Sequence, residues 1–380
     1  MTKAVILGCG KVGSVMARDL AETEGWEVLS VDPSEDSLKQ VAGRPGIETR
    51  VADCSDQKIV TELAEAHDIV IGALPSFLGY AAMESVVKTG TSMCDISFMT
   101  DEFRDLHDLA VKNDCTVIAD CGVAPGMSNI LSAWGVSKLD RADMVEILVG
   151  GLPRERHLPW EYKAGFSPYD VIEEYVRPSR VVENGEIVIK KALSEPEPVT
   201  FDGVGTLEAF NTDGLRSLVD TLDVPNMREK TMRYPGHIDL VRAMRDTGLF
   251  DEEPIEVDGV MVRPRALVAK LLFPKWTFDP FEEDLTVMRV TVEGELDGVD
   301  TRMRWDLLDR LDPETGFTSM SRTTGFTATV VAAMIVEGSL APRGVFAPEQ
   351  IATEDGFLDR LMDGLASRGV NYEAHLETRD

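Results

Sequence analysis

Through the first third of the chain, short apolar runs alternate with stretches in which apolar residues return every three or four positions. Residues 3–7 form one such run, and 12–22 follow with Val12, Val15, Met16 and Leu20 on one helical face. The same reading predicts strands over 26–31, 47–51, 67–73, 91–95 and 116–120. Helices are expected over 34–41, with Ser34 as N-cap, and over 57–65, 79–88 and 102–113. Strands that alternate with helices require right-handed crossovers, and so a parallel, doubly wound sheet. Farther on, residues 144–149, 187–190, 286–293 and 302–308 alternate with period two, as half-exposed antiparallel strands do. Helical spacing there is confined to 168–175, 214–222 and 237–247. Residues 324–336 are apolar around most of a helix, which must therefore be buried. The expected division is 1–122, an inserted α+β domain over 123–315 that binds substrate and pairs copies of the chain, and 316–380 packing back on the first domain.

The first strand runs directly into Gly8-Cys9-Gly10-Lys11-Val12-Gly13, a G-x-G-x-x-G turn that opens the first helix. Gly8 permits the turn, Gly10 the approach of a pyrophosphate, and Gly13 close helix–sheet packing. Lys11 and Val12 sit where the free helix-start N–H groups meet the anion. Asp32 ends the second strand nineteen residues after Gly13, where a carboxylate binds the adenosine ribose hydroxyls. A 2′-phosphate ~4 Å from that carboxylate costs about 1 to 4 kcal/mol, so the expected cofactor is NAD. Asp53 and Cys54 are candidates to flank the adenine. Ala73, Leu74 and Pro75 are candidates along the nicotinamide half, at the carboxyl edge of the sheet. The fold class expected is thus α/β, a Rossmann sheet with an inserted α+β domain.

Composition adds mostly exclusions. A net charge of -29 over 380 residues is the wrong sign for nucleic acid; a solvated acidic shell is the plainer explanation of it, and an organism with high internal salt the sharper one. Five cysteines without a C-x-x-C pair and five scattered histidines predict reduced thiols and no metal site. No apolar stretch approaches the ~18 residues of a membrane span, so a cytoplasmic protein is expected.

Several segments carry a family resemblance: Cys121 to Asn129 (CGVAPGMSN), Glu208 to Leu215 (EAFNTDGL), Arg233 to His237 (RYPGH), and Thr323 to Phe326 (TTGF). Together they resemble the saccharopine dehydrogenase-like amino-acid oxidoreductases, over nearly the whole chain. The nearest likeness is to the branch that oxidises the ε-amino group of L-lysine. Where saccharopine reductases tend to carry Asn-Arg-Asp-Ser, this chain has Asn211-Thr212-Asp213-Gly214. Loss of that arginine argues for a smaller, more cationic substrate. The resemblance implies an NAD-dependent dehydrogenase that converts lysine to 2-aminoadipate 6-semialdehyde, which cyclises to 1-piperideine-6-carboxylate, and a homodimer or homotetramer. Two alternatives stay open: a saccharopine- or carboxynorspermidine-type reductase, and a non-catalytic NAD-binding sensor.

Removing a proton from an ammonium needs a base, and the candidates are Asp213, Asp95 and His237. Arg233 suits a substrate carboxylate, with Tyr234, Thr212, Lys163, Tyr169 and Cys121 as further substrate contacts. The helix start opened by Pro125-Gly126 suits either the nicotinamide amide or a carboxylate, and Asn129 is the cofactor-binding candidate there. Capping or packing is the competing role for each of Asp213, Asp95, His237 and Cys121.

Overall fold

The computed structural model describes residues 1–279 and 282–379, without the side chains of residues 168, 169 and 379. The chain divides into two compact units, Met1–Trp134 with Ser321–Asn371, and Gly135–Met320 with the C-terminal strand.

The first unit opens with β1 (Thr2–Leu7), α1 (Lys11–Glu22), β2 (Trp26–Asp32), α2 (Glu35–Leu38), β3 (Ile47–Val51) and α3 (Gln57–Glu65). It continues through β4 (Ile69–Gly72), α4 (Ser76–Thr89), β5 (Ser92–Asp95), α5 (His107–Lys112), β6 (Thr116–Ile118) and α6 (Met127–Lys138). The second unit takes the end of α6, then β7 (Arg141–Pro153), α7 (Pro168–Val176), β8 (Ser179–Glu183), β9 (Glu186–Lys190), β10 (Glu197–Phe201) and β11 (Gly205–Asn211). After it come α8 (Leu218–Thr221), β12 (Met227–Arg233), α9 (His237–Asp246), β13 (Ile255–Val257), β14 (Val260–Val262), α10 (Pro264–Trp276), β15 (Asp284–Leu296) and β16 (Val299–Arg310). The chain returns to the first unit in α11 (Ser319–Val336), β17 (Gly344–Phe346) and α12 (Phe357–Ala366), and ends in β18 (Tyr372–Arg379).

All pairings in the first sheet are parallel, in the order β17-β6-β5-β4-β1-β2-β3. Its order reverses between β1 and β4, the crevice where doubly wound folds hold their ligands, and the glycine turn leaves β1 there. Val5, Leu7, Val31, Val70, Val86, Met93, Val117 and Val345 share one core. The returning α11 lies on α1: a Cβ on Gly325 would come within 3.0 Å of Met16 Cγ. Asp19 of α1 holds α11 and the turn that follows α12, accepting from Thr329 Oγ1 at 2.5 Å and Arg368 Nε at 2.6 Å.

The second sheet has nine strands, β10-β11-β12-β7-β15-β16-β18 with β8 and β9 set off from β12. Only β12 and β7 pair in parallel; the rest are antiparallel. Tyr162, Tyr175, Phe210, Ile238 and Trp276 form its principal core.

The first unit ends at Trp134 rather than at 122, inside α6, because a continuous helix carries no break in composition to mark a boundary. Residues 214–222 contain only the short α8. Residues 102–113 split into a 3-10 turn, Phe103–Leu106, and α5. Among the described residues no helix is long and apolar enough to cross a membrane.

Candidate functional site

In the first unit, backbone crowding explains two of the three glycines and leaves the third for a ligand. A Cβ on Gly13 would lie 2.0 Å from Gly8 O, and one on Gly8, at φ +98°, 2.5 Å from Ala73 O. Nothing lies within 4 Å of a Cβ on Gly10, the N-cap of α1, which has no side-chain cap. There is room beside Gly10 at the start of α1, the position in which a helix N-terminus receives a phosphate. Asp32 locks this turn to β2: its carboxylate accepts the Cys9 N–H at 2.8 Å and the Ser34 N–H at 2.8 Å. A carboxylate has about four acceptor positions, so ribose hydroxyls still find partners on it. These residues fit a dinucleotide.

The neighbouring candidates separate by burial. Lys11 is exposed and Val12 half-buried at the start of α1; Ala73 is half-buried and Pro75 exposed between β4 and α4, while Leu74 is in the core. Asp53 is exposed and accepts the Ser55 N–H at 2.9 Å, which holds its carboxyl below the usual range. Cys54 is buried, and burial, with Asp53 and Asp32 adding to it, pushes its thiol up to about 11. It is a packing residue rather than a contact for adenine. Asn129 differs from its expected role for a related reason: both ends of its amide are engaged inside the unit, Nδ2 donating to Glu349 at 3.0 Å and Oδ1 accepting from Ser128 Oγ at 3.0 Å. Cys121 is fully buried beside Cys94. Asp95 is also fully buried, in the space Gly72 leaves, and accepts Ser97 N–H at 2.8 Å and Ser97 Oγ–H at 3.1 Å. Burial holds its carboxyl well above the usual range despite those bonds, which place it as the cap of the turn at Ser97.

The second unit contains a buried polar cluster built on β12, with α7 and the loop after β11. Arg233 is 2% exposed; it donates to Glu174 at 3.1 Å and to Tyr175 Oη at 3.4 Å, and its guanidinium lies 4.5 Å over the Tyr162 ring. Tyr175 in turn faces His237 Nε2 at 2.9 Å, and His237 Nδ1 lies 2.9 Å from the Trp160 carbonyl. A carbonyl only accepts, so Nδ1 carries the hydrogen and Nε2 takes the Tyr175 proton. Burial, reinforced by Arg233, drives the imidazole down to about 3. With both nitrogens engaged and no proton affinity near neutrality, His237 positions Tyr175 and is not placed as a base.

Around the loop, Thr212 Oγ1 donates to Glu229 at 2.6 Å and meets Thr231 Oγ1 at 2.8 Å. Asp213 accepts from Arg180 Nε at 3.1 Å, so it is an ion-pair partner and not the helix cap that was the alternative. Gly214 is required: a Cβ there would strike the Glu229 side chain at 2.3 Å. Glu229 was not among the sequence candidates. Burial, with Glu174 and Asp213 adding to it, pushes its carboxyl up to about 8 against the bond from Thr212.

Three further candidates lie off this cluster. Tyr234 donates its hydroxyl to the Pro153 carbonyl at 3.0 Å, under Arg156, and braces the sheet. Lys163 pairs with Glu282 and with Asp279 at 3.5 Å, at the wall of a recess of about 380 Å³ lined also by Trp160 and Tyr162. The side chain of Tyr169 lies outside the described residues. No group of three His, Cys, Asp or Glu among the described residues is placed to hold a metal ion.

Comparison with known proteins agrees with this division of labour. Residues 4–118 match the saccharopine dehydrogenase NADP binding domain, and 122–370 the saccharopine dehydrogenase C-terminal domain. The alpha-aminoadipic semialdehyde synthase of Rattus norvegicus is 24% identical over 66% of this chain, but this chain spans only 29% of its length. The carboxyaminopropylagmatine dehydrogenase of Synechocystis is 21% identical over 95% of both chains. The apo saccharopine dehydrogenase (L-Glu forming) of Saccharomyces cerevisiae superposes with a TM-score of 0.81 over 99% of this chain and 100% of its own, at 16% identity, a likeness of fold. With family models covering both the nucleotide turn and the polar cluster, the chain belongs to the saccharopine dehydrogenase family.

Proposed function

We propose that this protein is an NAD-linked oxidoreductase that oxidises an amine carbon of a small amino acid, with the ε-amino group of L-lysine as its substrate, the reaction of a lysine 6-dehydrogenase. The observation that carries the substrate class is the imbalance around Glu229. Glu229 lies near both Glu174 and Asp213, and those two have guanidinium partners, Arg233 for Glu174 and Arg180 for Asp213. Among the described residues no cation pairs with Glu229, and a substrate ammonium supplies one. Once Glu229 has lost its own proton, near pH 8, a value suited to general base work, its carboxylate oxygen is the atom that takes up the ammonium proton. Nicotinamide, when bound, supplies the hydride acceptor.

NAD rather than NADP follows from Asp32, whose carboxylate repels a 2′-phosphate. Arg50, opposite Val31 on the neighbouring strand β3, is engaged with Glu62 at 2.9 Å.

One observation favours a second reading. Arg180, 35% exposed, brings a guanidinium to the loop that lacks the family's arginine, and this suits a substrate with an additional carboxylate. The substrate is then a larger secondary amine, and the Synechocystis relative is similar over 95% of its length. A panel of amino acids, followed by absorbance of reduced nicotinamide from pH 7 to 10, separates the two. L-Lysine turnover that survives Arg180→Ala supports the first reading. No turnover of lysine, with oxidation of a carboxyalkylated amine abolished by Arg180→Ala, replaces it with the second.

A further inference from the structure

The recess beside Lys163 lies wholly within the second unit, between the loop that follows β7 and the end of α10, and the proposed reaction makes no use of it. At about 380 Å³ it has the size of a small-molecule site, which spans roughly 300 to 1,000 Å³. Pro153, Pro159 and Pro274 line it together with Leu158, Trp160 and Tyr162. Proline and aromatic rings are stiff, so a compact hydrocarbon body is covered by them with little side-chain entropy lost. Leu158, 84% exposed, gains by such covering.

The charges on the recess select the head group of its ligand. Lys163 is answered by Glu282 and Asp279, and Glu155 lies 3.7 Å from His157. Lys275 is exposed and, among the described residues, has no ion-pair partner. The recess therefore keeps one unanswered cation in a chain of net charge -29. An acceptor is missing nearby as well: Trp276, whose ring meets those of Trp160 and Tyr162 edge-on at 5.9 and 5.3 Å, is fully buried with its indole N–H unbonded. A single ammonium matches a single negative charge, whereas a phosphate dianion is best held by a guanidinium fork, and no arginine lines the recess. We propose that this recess is a second small-molecule site, for a monocarboxylate with a compact hydrocarbon ring, the carboxylate on Lys275 and the ring against Trp160. The site adjoins the polar cluster. The Arg233 guanidinium lies 4.5 Å over the Tyr162 ring, and the Trp160 carbonyl holds His237 Nδ1 at 2.9 Å. A ligand that shifts Tyr162 or Trp160 acts on Arg233 and His237, which makes the site regulatory.

Titration of cyclohexanecarboxylate into the full chain, followed by tryptophan fluorescence and by calorimetry, tests this. Saturable one-to-one binding is expected, weakened about tenfold in Lys275→Gln and unchanged in Arg180→Ala, which alters the polar cluster instead. Trp160→Phe is expected to remove most of the fluorescence change while calorimetry still detects binding. Cyclohexylamine, the same ring with a cation, is expected not to bind. Lys275 is exposed, so its variant decides the matter even if Trp160→Phe misfolds. These readouts need no turnover, so they stand apart from the choice of substrate. In turnover assays the carboxylate is expected to change the rate of the wild type and not that of Lys275→Gln; binding without an effect on rate overturns the coupling to the cluster. The site itself is overturned by the absence of saturable binding, by an affinity that Lys275→Gln leaves untouched, or by a preference for cyclohexylamine or inorganic phosphate. Binding abolished by Arg180→Ala overturns it too, because the carboxylate then sits at the substrate site.

Discussion

Glu229 holds its proton to about pH 8, against 4.5 for an ordinary glutamate, because burial and the Glu174 and Asp213 carboxyls all oppose its charge. Between those two values the folded chain keeps a proton that the unfolded chain has released. Stability contributed by this group is therefore complete below pH 4.5 and is lost as pH rises through 8. His237 acts with the opposite sign: its value falls from 6.5 to about 3, so its contribution is present above pH 6.5 and is lost as pH falls. The two offset each other in acid, and above pH 6.5 the Glu229 slope emerges. We expect the urea midpoint of the wild type to fall from pH 6.5 to 8, and Glu229→Gln, which keeps the shape without the titration, to show a shallower fall. Parallel slopes would remove Glu229 from this role.

The β1–α1–β2 element puts its three glycines to different uses, and alanine separates them. Gly13→Ala drives a Cβ into the Gly8 carbonyl, so we expect a loss of stability of about 2 kcal/mol or more, seen as a lower thermal midpoint. Gly10→Ala meets nothing in the protein, so its midpoint should stay unchanged while NAD affinity drops. Equal midpoints for the two would contradict the packing described. This element was legible in the sequence because strand, turn and helix each have their own period. By contrast, β12 reads Met-Arg-Glu-Lys-Thr-Met-Arg and looks like a solvated loop, yet it is buried within the sheet. Its charges find partners far away in sequence: Arg228 with Glu146, Lys230 with Glu197 at 2.7 Å, Arg233 with Glu174. No local pattern records such pairs, which is why Glu229 escaped notice while Arg233 was found through its motif. Likewise α11 starts five residues before its apolar stretch, because the distant Asp284 caps it, accepting from Ser319 N at 2.6 Å and Met320 N at 3.0 Å.

Taken as a whole, the molecule carries 67 acidic against 38 basic side chains, and self-repulsion on that scale opposes the compact state. Salt shortens the reach of this repulsion from about 10 Å at 0.1 M to about 3 Å at 1 M. The thermal midpoint is therefore expected to rise with added potassium chloride, and a flat or falling response would show that the charges are already balanced locally. The assignment as an NAD enzyme rests on a narrower base, the carboxylate of Asp32 beside an open helix start. Calorimetric titration of NAD and NADP into the wild type and Asp32→Ala tests it most directly. The account predicts that NAD binds the wild type at least tenfold more tightly than NADP, and that Asp32→Ala weakens NAD by about tenfold to a hundredfold while narrowing the gap between the two. Tighter binding of NADP by the wild type, or NAD affinity untouched by Asp32→Ala, would contradict it.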